Sequence, residues 1–316
     1  MRRSIMGCQK QEFEEFDFNC RDGTQLHVYK WESKLSATRG AVLIVHGMAE
    51  HAGRYDEFAS HLTEAGYTVF AHDQRGHGKT AEKFGEFGFI APDNGWQKLV
   101  KDIESLMDFI DDETSCNSLF LFGHSMGSLL VRNVMTRGKE LNGVILSGTM
   151  RHPGLKLVLA RILARFIAFL RGKKFRSHLL HYLTLGSYDI EIKYDWLTRE
   201  STEVEKYSDD PACGFLFTAE FYCNLFRGLE KIYSPEVLDN IAEDLPVFII
   251  SGAYDPVGEE GKGVLAVFQQ MVELGLKDIK YKLYPGARHE LLHETNKEVV
   301  IDDVLEWLKK RDDYNE

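Results

Sequence analysis

At 316 residues, the chain is long enough for one large α/β domain, or for a domain of usual size that carries a substantial insertion. Hydrophobic residues make up 44% and charged residues 28%, which is typical of a folded globular protein and excludes a disordered one. The formal net charge of −11 argues against a general nucleic-acid binder.

The cysteines and the first residues bear on the compartment. The five cysteines are odd in number and widely spaced, without a CxxC pair, which fits neither a disulfide framework nor a zinc site and indicates a reducing compartment. The opening MRRSIMGCQK is basic, but no apolar stretch follows it, and its glycine is not at the position that myristoylation requires. We therefore expect a cytoplasmic protein.

The predicted elements begin with a hairpin and continue with buried strands. EFDFNCRDGTQLHVYKWE alternates apolar and polar residues around Asp22-Gly23, which predicts an antiparallel hairpin at one edge of a sheet. Five short apolar runs without alternation follow, as is typical of strands buried on both faces. These runs lie at 41–45, 67–71, 119–122, 144–146 and 247–250.

Helical patterns separate most of these runs. An apolar stripe over 96–110 follows the possible caps Asp93 and Asn94, and the last helix has a capping-box pattern at Thr295 and Glu298. Strands that alternate with helices predict a mostly parallel sheet that is covered on both faces.

One interval is too long for a connection within a compact domain. Almost a hundred residues separate the strand that ends near Ser147 from the strand that starts near Leu245. We interpret residues 1–149 and 243–316 as the core, and residues 150–242 as a mainly helical insertion, or cap, over the sheet.

The pentapeptide GHSMG at 123–127 satisfies the Gly-x-Ser-x-Gly pattern, with an apolar strand directly before it and a helical pattern directly after it. In a nucleophile elbow, a sharp turn holds the serine in a strained conformation, and small flanking residues leave room for the neighbouring strand and helix. Gly123 and Gly127 supply that room. The pattern predicts Ser125 as a nucleophile.

A serine hydroxyl needs a base beside it, and the base needs a carboxylate that fixes its tautomer. In this arrangement the order along the chain is serine, acid, histidine. Asp255 and His289 each follow a predicted strand, so both emerge at the same sheet edge as Ser125. Two alternatives stay open: Asp255 is a turn or capping residue before the next proline, and His293 is a rival base.

Acyl transfer also needs donors for the developing oxyanion, usually backbone N–H groups. We expect one from Met126, directly after the nucleophile, and one from Met48 in the loop HGMAEHAGRY. Gly47 lets that loop approach the substrate, and His46 buttresses it. The histidines of HDQRGHG and the one beside Ser125 are expected to pack or to form local hydrogen bonds. No HExxH or similar spacing occurs, so neither a metal nor a cofactor is predicted.

Five motifs in register, HGMAEHAGRY, HDQRGHG, GHSMGS, SGAYDPVG and YPGARHELLHE, span residues 40–294. On these motifs the chain resembles the monoacylglycerol lipase and lysophospholipase group of α/β-hydrolases. The resemblance implies an α/β-hydrolase fold with a helical cap inserted late in the sheet, the triad Ser125, Asp255 and His289, and the oxyanion pair Met48 and Met126. It implies a small-molecule acyl ester as substrate and no cofactor. For the insertion, the resemblance implies only that it forms a helical cap. This cap shapes the acyl pocket and therefore bears on the choice of substrate.

The segment GLKLVLARILARFIAFLRGKK, residues 154–174, lies in a stretch rich in lysine and arginine. Charges interrupt its apolar run before the roughly 18 residues that a membrane span requires, so it predicts an amphipathic helix. Either its apolar face packs on the core and lines an acyl tunnel, or part of that face docks on an anionic lipid surface as a peripheral contact.

The alternatives in function differ in their consequences. A thioesterase or a peptidase would use the same triad, because all of these reactions pass through an acyl-enzyme. Dehalogenase and epoxide hydrolase chemistry is disfavoured, because those enzymes carry aspartate at the elbow. A noncatalytic binding protein of the same fold would typically have lost one of the three residues, whereas all three stand here.

Overall fold

The computed structural model describes residues 13–114, 118–188 and 193–312, so Cys8 and Cys116 lie outside the described residues. Its centre is an eight-stranded sheet in the order β1-β2-β4-β3-β5-β6-β7-β8. The strands are β1 (Glu14–Asn19), β2 (Gln25–Trp31), β3 (Gly40–Val45), β4 (Tyr67–His72), β5 (Leu119–His124), β6 (Gly143–Ser147), β7 (Val247–Gly252) and β8 (Ile279–Tyr284).

The sheet is mostly parallel. Strand β2 pairs antiparallel with β1 and β4, and all other neighbouring strands pair parallel. The edge hairpin and the five buried strands predicted from the sequence are therefore confirmed. Because parallel strands end on one side, the loops after β3, β5, β7 and β8 emerge at one edge of the sheet.

Helices cover both faces of the sheet. Along β3, Leu43 and Val45 pack into one buried cluster while Val42 and Ile44 pack into another, as the two-residue period of a strand requires. The helices are α1 (Asp56–Glu64), α2 (Gly78–Phe84), α3 (Gly95–Glu113), α4 (Met126–Val134), α5 (Leu155–Arg171), α6 (His178–His181), α7 (Ser201–Asp209), α8 (Ala219–Lys231), α9 (Pro235–Leu238), α10 (Lys262–Glu273) and α11 (Lys297–Lys309). The first cluster includes residues of α3, α4 and α10, and the second includes residues of α1 and α11.

One predicted helix start is confirmed and one is wrong. Asn94 is at the N-cap of α3, but its φ is 52° and its side chain makes no capping hydrogen bond. The N-cap of α11 is Asn296, not Thr295, so the predicted capping box is wrong. The reason is that the buried Glu294 carboxylate accepts hydrogen bonds from both the amide and the hydroxyl of Thr295, which draws that residue into the preceding turn.

The residues between β6 and β7 form helices α5 to α9, with a single π turn after α6. Helix α5 packs on α8, yet only Leu157 and Ala164 of α5 are fully buried. Its large apolar side chains are exposed at Leu155, Val158, Leu159, Ile162, Phe166, Phe169 and Leu170. Of the helices in the described ranges, none is long and apolar enough to cross a membrane.

Candidate active site

Ser125 stands at the turn between β5 and α4 with φ 50° and ψ −118°, a strained conformation for a residue with a side chain. Its amide donates a hydrogen bond of 2.9 Å to the carbonyl of Ser147, which holds the turn against β6. A Cβ atom on Gly127 would lie 2.0 Å from the Val45 carbonyl oxygen, and one on Gly123 would lie 2.7 Å from the Gly127 carbonyl oxygen. Only glycine therefore fits at positions 123 and 127, two residues before and two residues after the serine.

Asp255 and His289 follow β7 and β8 and are both almost completely buried. His289 Nδ1 lies 2.9 Å from Asp255 Oδ2, so the two side chains form a hydrogen-bonded pair. The same carboxylate accepts hydrogen bonds from the Val257 amide at 2.9 Å and from the Ser251 hydroxyl at 3.1 Å. The Asp255 carboxylate thus stabilises the turn after β7 and also forms a hydrogen bond with the imidazole of His289.

The pair shifts the pKa of both members toward their charged forms. Burial alone would lower the pKa of His289, but the charge and hydrogen bond of Asp255 outweigh it and raise that pKa above its ordinary value. Burial would raise the pKa of Asp255, but the charge of His289 and three hydrogen bonds outweigh it and lower that pKa. An imidazolium that forms here during a reaction is therefore stabilised.

The His289 ring is close to the serine turn. A Cβ atom on Gly148, which lines the same cavity as Ser125, would lie 2.8 Å from the ring, and the ring centroid of His124 is 4.8 Å from that of His289. Among the described residues, the Ser125 hydroxyl makes no hydrogen bond. The structure thus joins Asp255 to His289 directly and brings Ser125 near them without the last hydrogen bond, which in such sites often tightens only with substrate.

The other histidines have different surroundings. His293 lies 3.5 Å from Glu203 of α7 rather than beside Asp255, and burial, with the charge of Arg54, lowers its pKa to about 4. Burial likewise lowers the pKa of His72 to about 3 and that of His77 to about 4. These neutral, enclosed rings pack within the core.

The loop after β3 brings a second group of atoms to the serine. Met48 and Met126 line the same cavity as Ser125. In the part of the chain that the structure describes, neither of their backbone N–H groups has a hydrogen-bond acceptor. Two unpaired amides beside a strained serine can stabilise the oxyanion of a tetrahedral intermediate.

Side chains hold this loop in place. His46 Nε2 accepts a hydrogen bond from the Gln74 amide at 3.0 Å, which leaves the proton on Nδ1, and Nδ1 donates to the Gly47 carbonyl at 2.8 Å. The Gly47 amide donates to Glu50 at 2.5 Å. A Cβ atom on Gly47 would lie 2.7 Å from Glu50 and 3.1 Å from the Ser125 Cβ atom, so this position also requires glycine.

Sequence reasoning missed a buried charge cluster next to the site. Arg54 donates two hydrogen bonds of 2.7 Å to Glu290 and one of 2.9 Å to Glu50, and its guanidinium lies 4.9 Å from the centre of the Tyr207 ring on α7. Burial opposes ionisation of Glu290, but Arg54 outweighs it and lowers the pKa of Glu290 to about 2. The cluster joins the loop after β3, the loop that carries His289 and the α7 region.

A cavity of about 370 Å³ opens at Ser125 between the sheet edge and the helices that follow β6. Its lining is mainly apolar, as expected of a site for an apolar ligand with few polar contacts. Residues from these helices and the connections beside them contribute a large share of the wall, namely Lys156, Leu157, Ala160, Leu180, Leu183, Thr184, Leu185, Ser187, Tyr188, Leu225, Phe226 and Leu229.

Known proteins share this architecture along almost the whole chain. A carboxyl esterase from Bacillus coagulans superposes with a TM-score of 0.86 at 25% identity, covering 95% of this chain and 98% of the esterase. A monoglyceride lipase from Saccharomyces cerevisiae superposes with a TM-score of 0.76 at 25% identity, covering 99% of each chain. The mouse monoglyceride lipase is 30% identical over 305 residues, covering 92% of this chain and 88% of the relative.

Fold and relatives together define a serine ester hydrolase of the α/β-hydrolase class, which confirms the predicted fold, reaction class and family resemblance. Residues 36–296 match the family described as "Serine aminopeptidase, S33", and the chain belongs to that family. The match takes in the serine turn, the loop after β3 and the helices between β6 and β7.

Proposed function

We propose that this enzyme hydrolyses carboxylic esters with one acyl chain, monoacylglycerols or lysophospholipids, through an acyl-enzyme on Ser125. The observation that carries the proposal is the strained Ser125 at an apolar cavity with two unpaired amides, beside the buried pair of Asp255 and His289. No cofactor enters the proposed reaction.

In this reaction His289 Nε2 accepts the hydroxyl proton of Ser125 while Oγ attacks the ester carbonyl carbon. The N–H groups of Met48 and Met126 donate hydrogen bonds to the oxyanion. As the intermediate collapses, the ester C–O bond breaks and His289 returns the proton to the leaving alcohol. A water molecule deprotonated by His289 then hydrolyses the acyl-enzyme and releases the carboxylic acid.

Asp255 has a positioning role in the proposed reaction. Its hydrogen bond with Nδ1 fixes the tautomer of His289 that keeps Nε2 free to accept a proton. Its charge stabilises the imidazolium that forms during each proton transfer.

Two observations support a substrate with a single acyl chain. The cavity at Ser125 is mainly apolar, and each methylene group of a chain that is buried there contributes about 0.8 kcal/mol to binding. The relatives from mouse and Saccharomyces cerevisiae are named monoglyceride lipases.

Ser125→Ala tests the proposal. We expect kcat for a short p-nitrophenyl ester and for a monoacylglycerol to fall by about 10⁶-fold. A fluorophosphonate probe should label the natural enzyme and the control Ser187→Ala, which changes another cavity serine, but not Ser125→Ala. Retained turnover or labelling in Ser125→Ala contradicts the nucleophile. If kcat/KM is higher for acyl thioesters or aminoacyl amides than for esters, the proposed substrate class is wrong, and the enzyme is a thioesterase or a peptidase.

We further propose that the exposed apolar face of α5 docks on an anionic lipid surface. Leu159, Phe166 and Phe169 are between 57% and 85% exposed, and Lys156 and Arg165 form no salt bridge to any described residue. Apolar side chains beside basic ones are the combination that lies in a membrane interface. Binding to vesicles tests this proposal, and the variants are argued in the Discussion.

We also propose a cytoplasmic location. The odd number and wide spacing of the cysteines favour a reducing compartment. Expression of the tagged full-length chain and fractionation of the cells test the location, and recovery from an oxidising compartment contradicts it.

A further inference from the structure

A cluster of metal-binding side chain types lies between the loop at 46–55 after β3, which carries the proposed oxyanion amide of Met48 (the oxyanion loop), and the residues that follow α7. It consists of His51, Asp210 and Cys213, and one ligand atom from each lies within 4.8 Å of the other two. His51 Nε2 already lies 2.9 Å from Asp210 Oδ2. His51 and Asp210 are 159 positions apart in the chain, so no sequence spacing reveals the cluster.

Nitrogen, carboxylate oxygen and thiolate sulfur are the ligands that Zn²⁺ takes in proteins. In a tetrahedral site such ligand atoms lie roughly 3.3–3.7 Å apart. His51 and Asp210 would need to separate by about half an ångström from their present hydrogen bond, which two partly exposed side chains can do. Three protein ligands leave a fourth position for water.

The local charge favours a cation. The charges that act on Cys213 are three carboxylates, those of Asp210, Glu50 and Glu290, and one guanidinium, that of Arg54. Arg54 forms its salt bridges with Glu50 and Glu290, whereas the Asp210 carboxylate faces His51.

The Cys213 thiol is available as a ligand. It is 7% exposed and unpaired, and among the described residues it makes no hydrogen bond. A cysteine thiol gives up its proton when it binds such an ion.

We propose that His51, Asp210 and Cys213 bind one thiophilic divalent cation of the Zn²⁺ type. The ion fastens the residues after α7 to the oxyanion loop. The Gly214 amide and the Tyr207 hydroxyl already donate hydrogen bonds of 3.0 and 2.9 Å to the carbonyl of Ala49. Because Ala49 follows Met48 directly, an ion at this cluster acts on the loop that carries an oxyanion amide.

Titration of the metal-free full-length protein with Co²⁺ and Zn²⁺ tests the proposal. We expect one equivalent of Co²⁺ to produce the sulfur-to-cobalt charge-transfer absorption of a thiolate ligand, and Zn²⁺ to displace it. Cys213→Ser should abolish this absorption, and His51→Gln, which keeps the thiol, should weaken Zn²⁺ binding at least tenfold. Bound Zn²⁺ should also raise the thermal unfolding temperature of the natural protein.

Two controls separate this site from others. Cys223→Ser changes another buried thiol, and His61→Gln changes the exposed cluster of Glu57, His61 and Glu298. Both variants should keep the absorption. The proposal is overturned if the absorption survives in Cys213→Ser, if it is lost in Cys223→Ser, or if His51→Gln binds Zn²⁺ as tightly as the natural protein while retaining its circular dichroism.

Discussion

His289 sets the pH dependence of the proposed reaction, because the base must be neutral to accept the serine proton. Asp255 raises the pKa of His289 above its ordinary value of about 6.5. We therefore expect kcat/KM to fall as the pH is lowered, with a midpoint above about 6.5. The raised pKa also stabilises the folded state below about pH 6.5, and this contribution is lost as the pH rises through the raised value. A pH–rate profile on a soluble ester measures the first effect, and unfolding by urea across the same range measures the second.

Asp255→Asn is the control for this profile. Without the carboxylate, burial dominates and lowers the pKa of His289, so the acidic limb should move to lower pH. We expect kcat to fall by about 10⁴-fold through loss of the correct tautomer. An acidic limb at the same pH in both proteins contradicts the pairing as its origin.

Candidate site residues could be predicted from the sequence where they directly follow a predicted strand. Ser125, Asp255 and His289 each follow a strand, and the parallel order brings them to one edge of the sheet. Arg54 and Glu290 are 236 positions apart, so their ion pair leaves no mark in local spacing. The available signal was an acidic residue in each of the two loops, Glu50 in HGMAEHAGRY and Glu290 in YPGARHELLHE.

At the scale of elements, Arg54 is the charge that joins three of them. Arg54→Ala leaves the buried carboxylates of Glu50 and Glu290 without a partner, which should destabilise the fold by about 3–5 kcal/mol. Arg54→Lys keeps the charge but loses the two-point contact, and should recover only part of this loss. Urea unfolding at pH 7 measures both.

A surface ion pair provides the comparison. Arg151 pairs with Glu259 where both side chains are about half exposed, so Arg151→Ala should not change the unfolding midpoint measurably. Equal midpoints for Arg54→Ala and Arg151→Ala would refute the role of the buried cluster.

Helix α5 shows why an element can be predicted when its environment cannot. The apolar and basic residues of 154–174 predict an amphipathic helix, but periodicity does not say what the apolar face contacts. The structure buries Leu157 and Ala164 of this helix and leaves seven large apolar side chains in solvent. Which side chains of α5 are buried depends on how α5 packs on α8, and this tertiary contact cannot be read from the periodicity of one helix.

At the scale of the whole molecule, the sheet carries the groups of the proposed reaction, and the segment between β6 and β7 covers them. The order β3-β5-β6-β7-β8 puts the oxyanion loop, Ser125, Asp255 and His289 on consecutive or nearby strand ends. Helices α5 and α8 both add walls to the cavity at Ser125, and α5 also presents exposed apolar side chains on its outer face. A lipid surface that contacts α5 is thus next to the cavity that would receive its acyl chain.

This arrangement predicts that docking and chemistry can be separated by mutation. The triple variant Leu159→Ser, Phe166→Ser, Phe169→Ser removes exposed apolar area without touching the cavity lining, and should lower binding to anionic vesicles at least tenfold. Turnover of monoacylglycerol in vesicles should fall with it, whereas kcat/KM for a soluble short ester should stay unchanged.

The matched control is a triple variant of exposed apolar residues elsewhere, Phe84→Ser, Val272→Ser, Val299→Ser, which should bind vesicles like the natural protein. Because each basic side chain near an anionic surface contributes about 1 kcal/mol, the natural protein should bind anionic vesicles more tightly than zwitterionic ones, and Arg165→Glu should narrow that difference. Co-sedimentation measures all of these affinities. Equal and negligible binding of the natural protein to both kinds of vesicle rules out docking.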